Sequence, residues 1–235
     1  MSTHYESVHP ATLYPDAFNV AAPDFPVGRE VWPRQAGVFI RRGAEDTQAA
    51  TGTEQPAPAH PSTEAPSRER VVGQFGLVPR WVKSASDAKL RSTKLVNARS
   101  ETVTTSNNFR DAWLAGQRCI VPMLAFMEDD WRNGKAVPTR IARVDGKPMG
   151  AAGLWESWTG AEGDVIISYT LLTVNANSHA LMHRYQQPGN EKRMLAILNE
   201  GAFDAWLTAR PEKAREFLRA CPANWLTANP IEKSR

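Results

Sequence analysis

A few short runs hold the side chains best able to move protons or hold anions. Glu128 opens the acidic run Glu128-Asp129-Asp130. A carboxyl group can carry protons as a general acid or base, although such a run taken alone reads as a solvated loop. His179 and His183 offer imidazoles, and His183 taken alone reads as a surface histidine. Asn97 reads as a turn or capping residue. Arg99, two positions on, reads as a surface charge or a partner of Glu101. The two cysteines, Cys119 and Cys221, are too few for a disulfide framework, and neither C-x-x-C nor H-E-x-x-H spacing occurs. A structural zinc site is therefore not expected. Cys119 lies in an apolar run and reads as an inert core residue. No G-x-G-x-x-G or P-loop supports nucleotide-dependent chemistry.

These residues need a scaffold. The chain of 235 residues is 42% hydrophobic and 23% charged, ordinary values for a globular protein with a sizeable core. Its net charge is +3 and its pI about 9.0, which permits a nucleic-acid partner without requiring one. The longest apolar-rich stretch, Val165 to Val174, is interrupted by Ser168, Tyr169 and Thr170, so no membrane span is expected. The start of the chain lacks the pattern of a secretory signal, and a cytoplasmic or nucleoid-associated location is expected.

Gly43 to Arg70 contains no Val, Ile, Leu, Met, Phe, Tyr or Trp. Such a segment cannot offset its ordering entropy by burial. It reads as a flexible insertion at 43–70 within one domain spanning 1–228, followed by a tail at 229–235. The flanking runs, Gly37 to Ile40 and Val71 to Val78, are placed to pair as a hairpin. Further strands are expected at Cys119–Phe126, Thr139–Val144, Met149–Trp155, Val165–Asn175 and Arg193–Leu198. Asp145-Gly146 between two of these runs is a hairpin signal. Helical spacing marks Asn108–Gln117, Ala202–Ala209 and Pro211–Ala220, the last opening on a proline suited to a first turn. Trp113, Trp155 and Trp206 read as core residues. The expected class is α+β, with a mainly antiparallel β-sheet core and a few flanking helices.

Five phrases occur in order. They are Phe75-Gly76-Leu77-Val78-Pro79-Arg80-Trp81, Asn97-Ala98-Arg99-Ser100-Glu101-Thr102, Arg118-Cys119-Ile120-Val121-Pro122 running to Phe126-Met127-Glu128, Ala152-Gly153-Leu154-Trp155-Glu156, and Glu191-Lys192-Arg193-Met194-Leu195-Ala196-Ile197-Leu198. Together they resemble the SOS-response-associated peptidase family over roughly residues 1 to 208, the insertion excepted. The resemblance implies a protein that captures abasic sites in single-stranded or junction DNA, with no cofactor, metal or membrane partner, acting as a monomer. Family members expose an N-terminal cysteine by removing their own methionine. Its α-amine forms a Schiff base with the sugar aldehyde, and its thiol closes a thiazolidine. The resemblance gives Asn97 a role in orienting the N-terminal residue and Glu128 that of proton shuttle. It places Arg99 at the DNA phosphates and Trp81 where it can stack on a base.

Two positions depart from the pattern. Residue 2 is Ser2, and a serine hydroxyl closes an oxazolidine far less favourably than a thiol closes a thiazolidine. Gln186-Gln187 occupies the place where the family's catalytic histidine is expected, which leaves His183 as the first substitute and His179 as the second. The expected catalytic set is Ser2, Asn97, Glu128 and His183, with Arg99 and Trp81 on DNA. The alternatives are a degenerate homologue that binds single-stranded DNA without covalent chemistry and, in a different class, a protease acting on other proteins.

Overall fold

The computed structural model describes residues 4–44 and 66–231. Its strands, in chain order, are β1 (Tyr5–Ser7), β2 (Glu30–Val31), β3 (Ala36–Arg42), β4 (Arg68–Phe75), β5 (Asn97–Arg99), β6 (Arg118–Asp130), β7 (Val137–Arg143), β8 (Met149–Thr159), β9 (Val165–Asn175), β10 (Arg193–Leu195), β11 (Ile197–Leu198) and β12 (Leu226–Pro230). The α-helices are α1 (Ala85–Ser92), α2 (Arg110–Leu114), α3 (Phe203–Thr208) and α4 (Pro211–Ala214). The class is α+β, dominated by one 12-stranded sheet.

The long strands close on themselves. β6 pairs with β8, β8 with β9, β9 with β4, β4 with β3, and β3 returns to β6. Closure gives these strands neighbours on both edges. All pairings are antiparallel except those of β9 with β4 and β5. A strand covered on both faces should read as a nearly continuous apolar run rather than an alternating one. β6 has this pattern, with nearly every residue from Arg118 to Glu128 buried.

Phe39, Phe75, Tyr5 and Tyr169 form an aromatic cluster, with ring centroids 5.3 to 5.5 Å apart. The Tyr5 and Tyr169 hydroxyls satisfy each other at 2.5 Å. Burial pushes both the Tyr5 and the Tyr169 phenols well above their ordinary range, so both hydroxyls stay neutral. Trp113 and Trp206 are buried as expected, and Trp206 donates its indole N–H to the Cys119 carbonyl at 2.8 Å. Trp155 is only half-buried.

The glycine of Ala152-Gly153-Leu154 has a steric reason. A Cβ on Gly153 would lie 2.6 Å from the Thr170 carbonyl oxygen and 2.9 Å from the Cys119 sulfur. The obstacle includes backbone, which cannot swing aside. Gly153→Ala is therefore expected to destabilise the protein by about 1–3 kcal/mol, read as a lower urea midpoint with an unchanged m-value. An unchanged midpoint would mean that β8 and β9 part at little cost.

The β3–β4 hairpin forms as expected, in register from Ala36↔Gln74 to Arg42↔Arg68. β4 begins at Arg68, so Arg68, Glu69 and Arg70 are sheet residues rather than part of the insertion. Residues 45–65 of that insertion lie outside the described residues.

The hairpin expected at Asp145-Gly146 does not form. Asp145-Gly146 makes a turn, with Gly146 at φ 75°, but β7 and β8 do not pair. Both run antiparallel to β6, β7 along Ala125–Asp130 and β8 along Arg118–Met123. The turn is a jog between successive partners of one long strand. Local turn chemistry favours a hairpin, but the length of β6 lets each strand bury its apolar residues against β6 instead.

α1 has no counterpart among the expected helices, because its sequence Ala-Ser-Asp-Ala-Lys-Leu-Arg-Ser carries no apolar stripe. It rests on local signals: the Ser84 side chain accepts from the Asp87 N–H at 3.1 Å, and Asp87 pairs with Arg91 one turn on. Residues 211–220 form a helix only as far as Ala214, followed by a single tighter turn at Arg215–Phe217.

Candidate active site

β6 is the strand that positions the site. Its far end carries Glu128, opposite Thr139 of β7 and 6% exposed. On its other edge β6 pairs with β1, Tyr5 facing Phe126. His4, the residue before β1, is thereby brought beside the strand that carries Glu128. A cleft of about 730 Å³ opens there, and its walls include His4, Trp32, Arg99, Glu128, Gln186 and Arg193.

His4 is the first described residue. Its ring lies flat on Trp32, centroids 3.7 Å apart and planes 7° from parallel. The turn after β2 holds Trp32 in place through a bond from its backbone N–H to Gln35. Burial lowers the His4 pKa, against the opposing pull of the Glu30 and Asp129 carboxylates. The imidazole is thus biased towards its neutral, proton-accepting form.

Arg193 anchors the opposite wall. Only 2% of it is exposed. Its guanidinium takes both oxygens of Glu101 at 2.9 Å, the Thr173 carbonyl at 2.8 Å and one Glu191 oxygen at 3.3 Å. Burial works to raise the Glu101 pKa, but the bonds from Arg193 outweigh it and the net shift is downward. Arg99 extends from β5 to Glu191 at 2.6 Å, and Glu191 also accepts from Asn175 at 2.7 Å. These bonds hold the Glu191 carboxyl below its usual range. Asn97 and Arg99 share one face of β5 by strand alternation, with Ala98 buried on the other. Arg99 reaches the cleft wall, whereas Asn97 is not among its lining residues.

Gln186 stands where the sequence resemblance calls for a histidine, and the structure explains its fit. Its backbone N–H donates to Asp129 at 3.0 Å. Its side-chain amide donates to the Arg193 carbonyl at 2.5 Å and accepts from the Arg193 N–H at 3.2 Å. The residue is 8% exposed and adopts a left-handed φ of 70°. Both ends of the amide are thus used to fasten β10 to the loop beside β6.

His183 lies on the single turn Met182–Arg184, exposed, with Nδ1 against the His179 carbonyl at 2.8 Å. It is not among the cleft's lining residues. His179 is buried, with Nε2 against the Cys221 carbonyl at 2.8 Å and Nδ1 accepting from the Met182 N–H at 3.0 Å. Its contacts fasten one loop to another. Trp81 is 40% exposed, donates to the Asn107 carbonyl and lies under the Arg91 guanidinium at 4.8 Å. It too lies outside the cleft wall. Ser2 is outside the described residues.

Sequence reasoning missed His4, Trp32 and Arg193 as members of one site. His4 carried the one available hint, an imidazole two residues after the expected reactive position. Arg193 stood in the fifth phrase without a role of its own and Trp32 carried no hint, because their meeting is made by the β1–β2 and β9–β10 pairings. Among the described residues, no three His, Cys, Asp or Glu side chains group to hold a metal ion, and no helix is long and apolar enough to cross a membrane.

A carboxyl group and a proton-accepting imidazole in one cleft form an arrangement able to take up and return protons. Comparison with known proteins identifies relatives of the whole chain. The sequence profile of the SOS response associated peptidase (SRAP) family matches residues 2–234. The abasic site processing protein HMCES of Gallus gallus is 26% identical over 226 residues, covering 84% of this chain and 65% of that protein. The abasic site processing protein YoqW of Bacillus subtilis is 32% identical over 162 residues, 67% of each chain. A crystal structure of a protein from Bordetella bronchiseptica superposes with a TM-score of 0.84 at 38% identity, covering 98% of this chain and 100% of that one.

Proposed function

This chain belongs to the SOS response associated peptidase family, and from that premise we propose that it captures abasic sites in single-stranded or junction DNA through its N-terminal residue. The observation that supports this reading is the antiparallel pairing of β1 with β6, which brings His4 into the same cleft as Glu128. With Met1 removed by self-processing, the α-amine belongs to Ser2. An α-amine titrates near 7.7–8.0, about a unit above neutral pH, so a useful fraction is nucleophilic. It attacks the aldehyde carbon of the ring-opened sugar. The nitrogen gives up its two protons, the former carbonyl oxygen takes up two in turn, first to a carbinolamine and then to leave as water, and a C=N bond remains. Glu128 shuttles protons in both steps, Asn97 orients the reacting amine, and Arg99 exchanges Glu191 for a phosphate.

Borohydride trapping on single-stranded abasic DNA tests this. Reductant should fix a covalent product that is absent with an intact oligonucleotide. DNA binding without trapping would refute it. Binding should also favour single-stranded or junction DNA over blunt duplex at matched salt.

His4 takes the histidine's part beside Glu128 in this reading, since it alone among the described histidines lines the cleft. His4→Gln should slow trapping and remove an acid limb from the pH–rate profile. Because burial lowers its pKa, that limb should lie below 6.5, the ordinary histidine value. His183→Gln should leave the profile unchanged. The opposite pattern would return the role to His183.

A second reading is favoured by Gln186, whose amide is committed to the Arg193 backbone at both ends. With Ser2 in place of cysteine, it points to a homologue that binds single-stranded DNA and performs no covalent chemistry. The trapping experiment separates the two readings.

A further inference from the structure

The cleft around Glu128 supplies little positive field. Three carboxylates, Glu128, Asp129 and Glu191, face it against Arg99 and Arg193, and both guanidiniums are already paired with acids. A second cleft, of about 660 Å³, has the reverse balance. Arg41, Arg42, Arg118 and Arg210 line it against one carboxylate, Glu69, alongside the half-buried Trp155. The two clefts share no lining residue. Arg118 begins β6 and Glu128 lies near its other end, so they are separated by about 30 Å measured along the strand.

Arg118 is the unusual member. It is 4% exposed, and its Nε donates to the Trp206 carbonyl at 2.7 Å and its Nη2 to the Ala209 carbonyl. Those bonds close the end of α3. They do not neutralise the charge, and among the described residues Nη1 has no hydrogen-bond partner. A Cβ built on Gly116, in the cleft wall, would lie 4.0 Å from that Nη1. A buried cation without a carboxylate is costly, and an anion brought close would offset the cost. Arg41 lies over the Trp155 ring at 4.5 Å while bonding Glu69 at 2.9 Å. Arg210 is exposed and forms no ion pair among the described residues. Guanidiniums beside an indole plane suit a chain of phosphates carrying flat bases.

We propose that the cleft at the Arg118 end of β6 is a second contact for the phosphodiester backbone of a single nucleic-acid strand, separate from the cleft around Glu128. The proposal rests on the DNA reading above for the kind of ligand. It divides the labour between a reactive cleft, nearly neutral and suited to a sugar aldehyde, and a remote basic cleft that holds the strand.

The test uses an intact, undamaged single-stranded oligonucleotide, which carries no aldehyde, and measures affinity across a salt series. Removing one phosphate-binding cation should flatten the log–log salt dependence by about 0.7. Arg210→Ala and Arg41→Gln should each weaken binding and flatten the slope by roughly that amount, and Arg210→Lys should keep the slope. Arg219→Ala, an exposed arginine outside this cleft, is the control. Arg210→Ala and Arg41→Gln behaving like Arg219→Ala would overturn the proposal, as would failure of the unmodified protein to bind the strand. A protein that traps abasic DNA but shows unaltered slopes in these variants refutes this inference and leaves the proposed chemistry intact. Slopes that respond in a protein that never traps refute the chemistry and leave this surface.

Discussion

Ser2→Cys should turn a reversible Schiff base into an adduct on abasic DNA that survives heating without reductant. In the protein as it stands, the serine hydroxyl is a weak nucleophile and its ring product hydrolyses readily. The imine therefore reverses or eliminates unless borohydride fixes it. A thiol has a pKa of about 8.5, so a few per cent is thiolate near neutral pH, and sulfur is intrinsically the stronger nucleophile, so it closes the five-membered ring. The rest of the cleft needs no change: β1 still pairs with β6, and Glu128 remains on β6. A denaturing gel of heated reactions, with methionine removal verified by mass, should show a shifted band for Ser2→Cys and almost none for the parent. DNA binding without that band would mean that the site itself has lost the chemistry, and the non-covalent binding reading would replace the one proposed.

Within the Ser2→Cys background, Glu128→Gln should slow adduct formation by roughly 10²–10⁴-fold, the usual contribution of a positioned acid–base group. The exchange keeps the size and shape of a side chain that is 6% exposed. It leaves the β6–β7 register at Glu128↔Thr139 under no new steric demand, so folding should be unaffected. An amide cannot take up and return a proton, which isolates the chemical role. Single-turnover rates on abasic DNA measure the effect, and DNA affinity measured in parallel should not move. An unchanged rate would assign Glu128 to structure rather than to proton transfer.

Much of the scaffold was legible along the chain. The run at 37–40 paired, as expected, with the run that begins at 71, which stays a strand only to Phe75, because both are apolar and lie on either side of a segment with nothing to bury. Val165–Asn175 is a strand at its expected bounds. Short elements were not legible. β1, β2 and β5 are two or three residues long and carry no period of their own. They become strands because longer neighbours offer edges, and two of them, β1 and β5, bring His4 and Arg99 to the cleft. The Asp145-Gly146 turn shows the opposite failure, a true local signal whose tertiary meaning changed because β6 was long enough to accept both flanking strands.

The sequence alone determined the residue types at the candidate positions, and with them the family. Ser2, Asn97, Arg99, Glu128 and Gln186 are identities that motif order reveals without coordinates. Which side chains meet was decided only by tertiary structure. His183 and His4 are chemically the same imidazole, yet His183 sits on an exposed turn while His4 lies against Trp32 in the cleft. Gln186 and Arg193 are seven residues apart, and only the loop folded back from β10 joins the amide of one to the backbone of the other. The physical reason is that proton transfer and phosphate binding act over a few ångströms, whereas spacing along a chain sets distance only inside a single helix or strand. Contacts between elements depend on which edges pair, and in this protein closure of the sheet around β6 made that choice.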